Sequence, residues 1–265
     1  MPSVLALFAH PDDIEFVAAG TLALLKRKGW EIHMMNLANG CCGSTTTSRE
    51  ETARIRLEES RGAAGHLQAT HYDPIFNDLE VDYSQLALIH LVGIIRRAKP
   101  TIVLTHAPLD YMEDHMQTCR LAVSAAFAKG VPNYPDPKDS RYVQAYYEDL
   151  AIYHAQPHGN RTPFGEMVRP ELAIGIDSVI EVKQAMLSEH RSQQAWLQDS
   201  QGMNSYVQTM LDLGREVVEI ASGTDVSNRS AAYKYAEGWR RHLHLGYSAQ
   251  AIDPLRDALE EYTVA

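Results

Sequence analysis

Histidine and carboxylate gather at three points of this 265-residue chain: His10-Pro11-Asp12-Asp13-Ile14-Glu15, the stretch from His106 to His115, and His154-Ala155-Gln156-Pro157-His158. His10 and Asp13 sit three residues apart across a turn into a helix, so both side chains can reach one point. A neutral imidazole and a carboxylate are suitable ligands for a divalent zinc ion. His115, at the start of a later helix, would complete a three-ligand site with an open position for water. Asp12 would then project beside the metal, where a base that deprotonates water belongs. The same residues admit a plainer account. Adjacent aspartates at a helix start serve its dipole, and a histidine at a strand end is an ordinary hydrogen-bonded group. Spacing alone leaves both accounts open.

The elements that must position these groups follow from periodicity. Short apolar runs alternate with longer amphipathic ones, the signature of an α/β domain with a mostly parallel sheet. Strands are predicted at Val4 to Phe8, Glu31 to Leu37, Thr101 to Thr105, Leu150 to Tyr153 and Leu172 to Ile176. Helices are predicted from Ile14 to Lys28, from a capping box at Ser48-Arg49-Glu50-Glu51 to His66, from Ser84 to Lys99, and from Asp114 to Lys129. A second capping box at Ser178-Val179-Ile180-Glu181 opens a helix to Leu197. The remainder reads as mainly helical, with a break at Ser222-Gly223. Val131 to Arg141, with three prolines, reads as irregular. The expectation is one domain over residues 1–265: Rossmann-like, doubly wound, with helices on both faces of the sheet. In such sheets ligands bind outside the carboxyl ends of the strands, where the three histidine-bearing stretches fall.

Composition narrows the function classes. The net charge of −10 argues against a nucleic-acid or anionic-membrane surface. No run reaches the roughly 18 apolar residues that span a bilayer, and the first residues lack a basic, apolar export signal. Cys41, Cys42 and Cys119 form neither a disulfide framework nor a C-x-x-C motif, which points to a reducing cytoplasm. Asn160 and Asn228 match the N-x-[ST] acceptor pattern by chance in that compartment. Homo-oligomerisation is left open.

Ala9-His10-Pro11-Asp12-Asp13-Ile14-Glu15 resembles the A-H-P-D-D-x-E signature of the LmbE-like (PIG-L) de-N-acetylases, and Asp114-His115 resembles the end of their H-P-D-H motif. Arg56-Leu57-Glu58-Glu59-Ser60, Lys183 with His190-Arg191-Ser192-Gln193, and Tyr235-Ala236-Glu237-Gly238-Trp239 are similar to further family segments, in the family's order. The resemblance implies a zinc-dependent hydrolase that removes the acetyl group from an N-acetylated amino sugar such as an N-acetylglucosamine conjugate. By motif, His10, Asp13 and His115 match the metal ligands, Asp12 the general base and Arg56 a substrate-binding arginine. Asp114 reads as a helix cap and an orienter of His115.

One position departs from the pattern: Met112 stands where the family often has the first histidine of H-P-D-H, a donor to the oxyanion. Methionine cannot donate that hydrogen bond. The substitutes are His154, His158, Tyr111 and His106, with His154 favoured because it ends a strand at the same sheet edge as His10. His190 either lines the pocket or satisfies its own helix. Trp196, Tyr206, Tyr235 and Trp239 read as packing residues, one of which could stack on a sugar. Two other readings compete. A dinucleotide-binding oxidoreductase lacks its G-x-G-x-x-G, and a non-catalytic carbohydrate- or metal-binding protein has Met112 as its one hint.

Overall fold

Alternate residues of the first strand face opposite ways, and two cores result. In the computed structural model, which describes residues 1–135, 144–201, 206–223, 232–243 and 251–264, with the side chains of 200 and 201 set aside, strand β1 is Ser3–Phe8. Its Val4, Ala6 and Phe8 enter one core, and Leu5 and Leu7 enter the other. The remaining strands are β2 (Glu31–Asn36), β3 (Thr70–Tyr72), β4 (Ile102–Thr105), β5 (Ala151–Ala155), β6 (Leu172–Gly175) and β7 (Ala236–Arg241). They form one seven-stranded sheet in the order β3-β2-β1-β4-β5-β7-β6. Strands β1 to β5 run parallel, and β7 runs antiparallel to both β5 and β6. The helices are α1 (Asp13–Val17), α2 (Ala19–Arg27), α3 (Arg49–Gly65), α4 (Gln85–Ala98), α5 (Glu113–Ala128), α6 (Ile180–Leu187), α7 (Arg191–Gln201), α8 (Tyr206–Ser222) and α9 (Pro254–Leu259).

Residues of α2, α3 and α9 pack in the first core, and residues of α4 and α5 in the second. The chain is therefore an α/β protein with helices on both faces of a mostly parallel sheet, as its periodicity predicts. The strand order reverses at β1, between β2 and β4, so the loops after β1 and β4 open into one crevice. No helix among the described residues is long and apolar enough to cross a membrane.

Ser48 caps α3, its Oγ accepting the Glu51 N–H at 3.3 Å, and Ser84 caps α4 through the Ala87 N–H at 3.4 Å. The second expected box does not form. A 3-10 turn over Asp177–Val179 precedes α6, and no side chain caps that helix. The Asp177 carboxylate instead accepts the N–H groups of Lys234 and Tyr235. The helix expected to reach Leu197 stops at Leu187 and restarts as α7, where Glu59 accepts the Ser192 N–H at 2.9 Å and its hydroxyl at 2.6 Å. In the stretch 131–141, residues 131–135 carry no helix or strand, and the rest lies outside the described residues.

The expected helix from Ile14 to Lys28 is two, broken at Ala18. Side chains from the far end of the chain hold the break. Glu237 Oε1 and Oε2 accept the Gly20 and Thr21 N–H groups at 2.8 and 2.7 Å. Lys183 Nζ donates to Glu237 Oε1 at 2.5 Å and to the Phe16 carbonyl at 2.8 Å. A Cβ on Gly20 would meet Ile176 at 2.7 Å, so this approach needs glycine. Glu237 lies on β7, in a region read as mainly helical. Its strand was hidden because AEGWRR has no apolar run and no clean alternation.

Breaking a fully buried ion pair by removing one partner costs about 3–5 kcal/mol. Glu237→Ala should lower the unfolding free energy in urea by that amount, and adding Lys183→Met should recover part of it. A loss under about 1 kcal/mol in the single variant would contradict this role for the pair.

Candidate metal centre and active site

After β1 the chain turns sharply into α1, and the turn places Asp12 at φ 109°, in the left-handed region that a non-glycine residue seldom adopts. Such a conformation costs about 1–3 kcal/mol and persists where surrounding contacts enforce it. Here they do. Asp13 Oδ2 accepts the His10 N–H at 2.7 Å, Asn36 Nδ2 donates to the His10 carbonyl at 2.5 Å, and Arg56 donates to the Pro11 carbonyl at 2.7 Å.

The turn brings Asp13 Oδ2 within 3.4 Å of His10 Nδ1 and 3.5 Å of His115 Nε2. The three groups are close enough to share one ion. At zinc bonds of about 2.0–2.1 Å, tetrahedral ligand atoms lie about 3.3 Å apart, so these spacings fit. The outward nitrogens of both imidazoles face carboxylates. His10 Nε2 lies 2.9 Å from Asp114 Oδ2 and 3.1 Å from Asp78 Oδ1, and His115 Nδ1 lies 3.0 Å from Asp110 Oδ1. Carboxylates of this kind fix the ring and raise its basicity as a ligand. Burial opposes charge on His10, but Asp114, Asp13 and Asp78 outweigh it and raise its pKa. For Asp13 burial is likewise overcome, by His115, His106 and His10, which hold the carboxyl well below the usual range.

Among the described residues two other clusters have metal-like spacing, and their hydrogen bonds argue against each. His106 Nε2, 3.3 Å from Asp13 Oδ2, already accepts the Ala9 N–H at 2.9 Å. Burial, with His115 beside it, brings the His106 pKa down to about 4, so the ring is neutral and stacks on His115 at 3.9 Å. In the cluster of His10, Asp78 and Asp114, the Asp114 carboxylate accepts the Leu79 and Val81 N–H groups at 2.8 and 3.3 Å, while Asp78 accepts the Cys42 N–H at 3.1 Å.

Asp114 thus departs from expectation. Met112, not Asp114, stands at the N-cap of α5, and no side chain caps that helix. Asp114 orients His10, because it reaches back to the loop at 78–81, and Asp110 orients His115 instead. Asp110 escapes the sequence reading, although a carboxylate five residues before a ligand histidine, on the loop leading into α5, is a usable signal.

Asp12 is buried and lines the cavity together with the three ligands. Its Oδ2 accepts the Tyr206 hydroxyl, and its Oδ1 lies 3.7 Å from Arg56. Burial raises its pKa to about 6, with Arg56 opposing. Arg56 lines the cavity as expected, but its Nη1 also donates to the Gly40 carbonyl at 3.2 Å. A Cβ on Gly40, at φ +67°, would collide with the guanidinium at 2.5 Å, so the loop closes over Arg56 only with glycine there. Tyr206 was read as packing. No local pattern marks it, since its partner lies 194 residues earlier.

Above this floor opens a cavity of about 520 Å³, walled by Phe16, Tyr111, His158, Gln193, Trp196 and Leu197 among others. Trp196 and Tyr206 reach it, whereas Trp239 is fully buried with its indole N–H on Thr21. His190 does not line it and lies 3.2 Å from Glu15, both fully buried.

His154, expected at this mouth, is placed elsewhere. Its Nδ1 pairs with the His106 carbonyl at 2.8 Å and its Nε2 with His242 Nδ1 at 2.9 Å. As a β5 residue it is turned into the sheet's packing and does not line the cavity, whereas His158, Tyr111 and His106 do. Burial brings its pKa from 6.5 to about 4, so the unfolded chain takes up the extra proton within that window and stability falls as pH drops through it. From pH 7.5 to 5 this residue should account for about 2 kcal/mol of lost stability. Urea titrations of His154→Gln should lack that part of the fall; equal falls in both proteins would contradict it.

Comparisons with known proteins bear on the fold and the family of the chain. Residues 5–126 match the family model PIG-L, GlcNAc-PI de-N-acetylase. The chain is 28% identical over 204 residues to diacetylchitobiose deacetylase of Thermococcus kodakarensis, covering 72% of this chain and 69% of that one. It is 26% identical over 193 residues to 4-oxalmesaconate hydratase of Pseudomonas putida, covering 70% and 71%. The solved structure of N,N'-diacetylchitobiose deacetylase from Pyrococcus horikoshii matches with a TM-score of 0.75 at 23% identity, over 96% of this chain and 88% of that one, a likeness of fold. Residues 5–126 therefore carry the PIG-L (LmbE-like) family domain.

Proposed function

We propose that this chain is a zinc-dependent N-deacetylase that hydrolyses the acetamide of an N-acetylated amino sugar. The observation that carries the reading is the approach of His10 Nδ1 and His115 Nε2 to Asp13 Oδ2, at 3.4 and 3.5 Å, on a cavity floor that also presents Asp12. Zinc held there would polarise the acyl carbonyl and acidify a water molecule. Asp12 Oδ1 takes the proton from that water and returns it to the departing nitrogen, its proton affinity raised by burial toward the range a general base needs. Tyr206 and Arg56 keep the carboxylate in place for both transfers. Met112 cannot donate to the developing oxyanion. Tyr111 and His158, with rings 5.7 Å apart on the cavity wall, are placed to do so. Partial desolvation at the cavity wall and the carboxylates of Asp13, Asp110 and Asp12 raise the Tyr111 hydroxyl above its ordinary value, so it keeps its proton, and burial lowers the His158 imidazole, so the ring is a neutral donor. The free thiols of Cys41, Cys42 and Cys119 accord with a cytoplasmic setting.

A second reading, hydration of an unsaturated carboxylate, has the likeness to 4-oxalmesaconate hydratase in its favour. It needs the same activated water and base but a polyanionic substrate. Asp12, Asp13, Asp78 and Asp110 all line the cavity, and Arg56 is its one fixed cation among the described residues, a balance that favours the uncharged sugar.

Acetate release from N,N'-diacetylchitobiose by the zinc-loaded protein, without hydration of 4-oxalmesaconate, supports the deacetylase; the reverse result supports the hydratase, and zinc without either activity a binding protein. Asp12→Asn should retain zinc on dialysis and lose about 10²-fold or more in turnover. Asp13→Asn and His115→Ala should lose the metal. Equal zinc loss in Asp12→Asn and Asp13→Asn would mean that the two aspartates have been assigned the wrong way round.

A further inference from the structure

Leu79, at the cavity lip, is held at φ +64°, a conformation that glycine takes freely and leucine does not. Its N–H is pinned to Asp114 Oδ2 at 2.8 Å, so relaxing the backbone would release the carboxylate that orients His10. Glycine would satisfy the same hydrogen bond without strain. Instead an isobutyl group stands at the cavity, 65% exposed and with no core to fill. A strained residue that fills no core has its use in a contact made from outside the fold. Met112, two residues before Asp114, lines the same cavity, as does Tyr111, 63% exposed. The charges point the same way. Four carboxylates line the cavity, and its one guanidinium among the described residues is engaged by the Pro11 and Gly40 carbonyls.

We propose that Leu79, with Met112 and Tyr111, forms an apolar lip that selects N-acetylated sugars bearing an aryl or long alkyl substituent over those bearing a small or charged one. The inference rests on the deacetylase reading and names the substrate class of that site. A flexible apolar side chain at 112 fits a contact surface, and Leu79 covers part of the substituent that enters. Binding of the substituent removes the exposed leucine from water, which supplies the preference.

Two measurements on the full zinc-loaded chain separate the lip from the reaction. Calorimetry with the phenyl and methyl glycosides of glucosamine, which carry no acetyl group, reads the lip alone. Acetate release from the corresponding N-acetyl glycosides reads the reaction. The wild type should bind the phenyl glycoside about tenfold more tightly than the methyl one, a difference of about 1.4 kcal/mol. Leu79→Gly should reduce that ratio to about two with no fall in Tm, and Leu79→Met should keep it. A wild-type ratio near one, an unchanged ratio in Leu79→Gly, or a lowered Tm in that variant overturns the proposal. A ratio that collapses as expected without acetate release from either N-acetyl glycoside keeps the lip and overturns the deacetylase reading.

Discussion

Asp13 Oδ2 lies within 3.3 to 3.5 Å of ring nitrogens from His10, His106 and His115, and the rest of the site is arranged around that convergence. A carboxylate and imidazole lone pairs held this close, and mostly out of water, are stabilised by a cation among them. Protons can serve in part, but the outer partners of two rings favour a metal. Asp114 and Asp78 turn the far nitrogen of His10 into a donor, Asp110 does the same for His115, and the near nitrogens are left to accept. His106 differs because the Ala9 N–H already occupies its near nitrogen, so its use is to stack on His115 and hold that ring.

This convergence requires the chain to turn at once from β1 into a helix and then to break that helix. Asp12 sits at a positive φ so that Asp13 can face inward while Asp12 meets Arg56 and Tyr206. The break at Ala18 is held by Glu237 and Lys183, from β7 and α6. Residues that the resemblance gathers into one family pattern therefore divide by use. His10, Asp12, Asp13, His115 and Arg56 meet at the cavity, whereas Lys183, Glu237 and the pair of Glu59 with Ser192 hold together the elements around it.

The parts legible in the sequence were those encoded locally. The apolar run Val4 to Phe8 and the cap at Ser48 each depend on neighbours within a few residues, and each lies where periodicity and capping rules put it. What escaped was encoded at long range. β7 reads as neither strand nor helix until β5 and β6 pair with it, and the break at Ala18 depends on a carboxylate more than 200 residues away. Tyr206 meets Asp12 through tertiary packing alone. His154 was misplaced for a related reason: the sheet rule locates the carboxyl edge of a strand, but alternation along β5 decides which face each side chain takes.

The central claim is that one ion binds the inward nitrogens of His10 and His115 together with Asp13. Anomalous diffraction from crystals of the zinc-loaded protein tests it most directly. A single strong peak is expected about 2.0–2.2 Å from His10 Nδ1, His115 Nε2 and an Asp13 carboxylate oxygen. A peak bonded to His10 Nε2 with Asp78 and Asp114, or to His106, would contradict it.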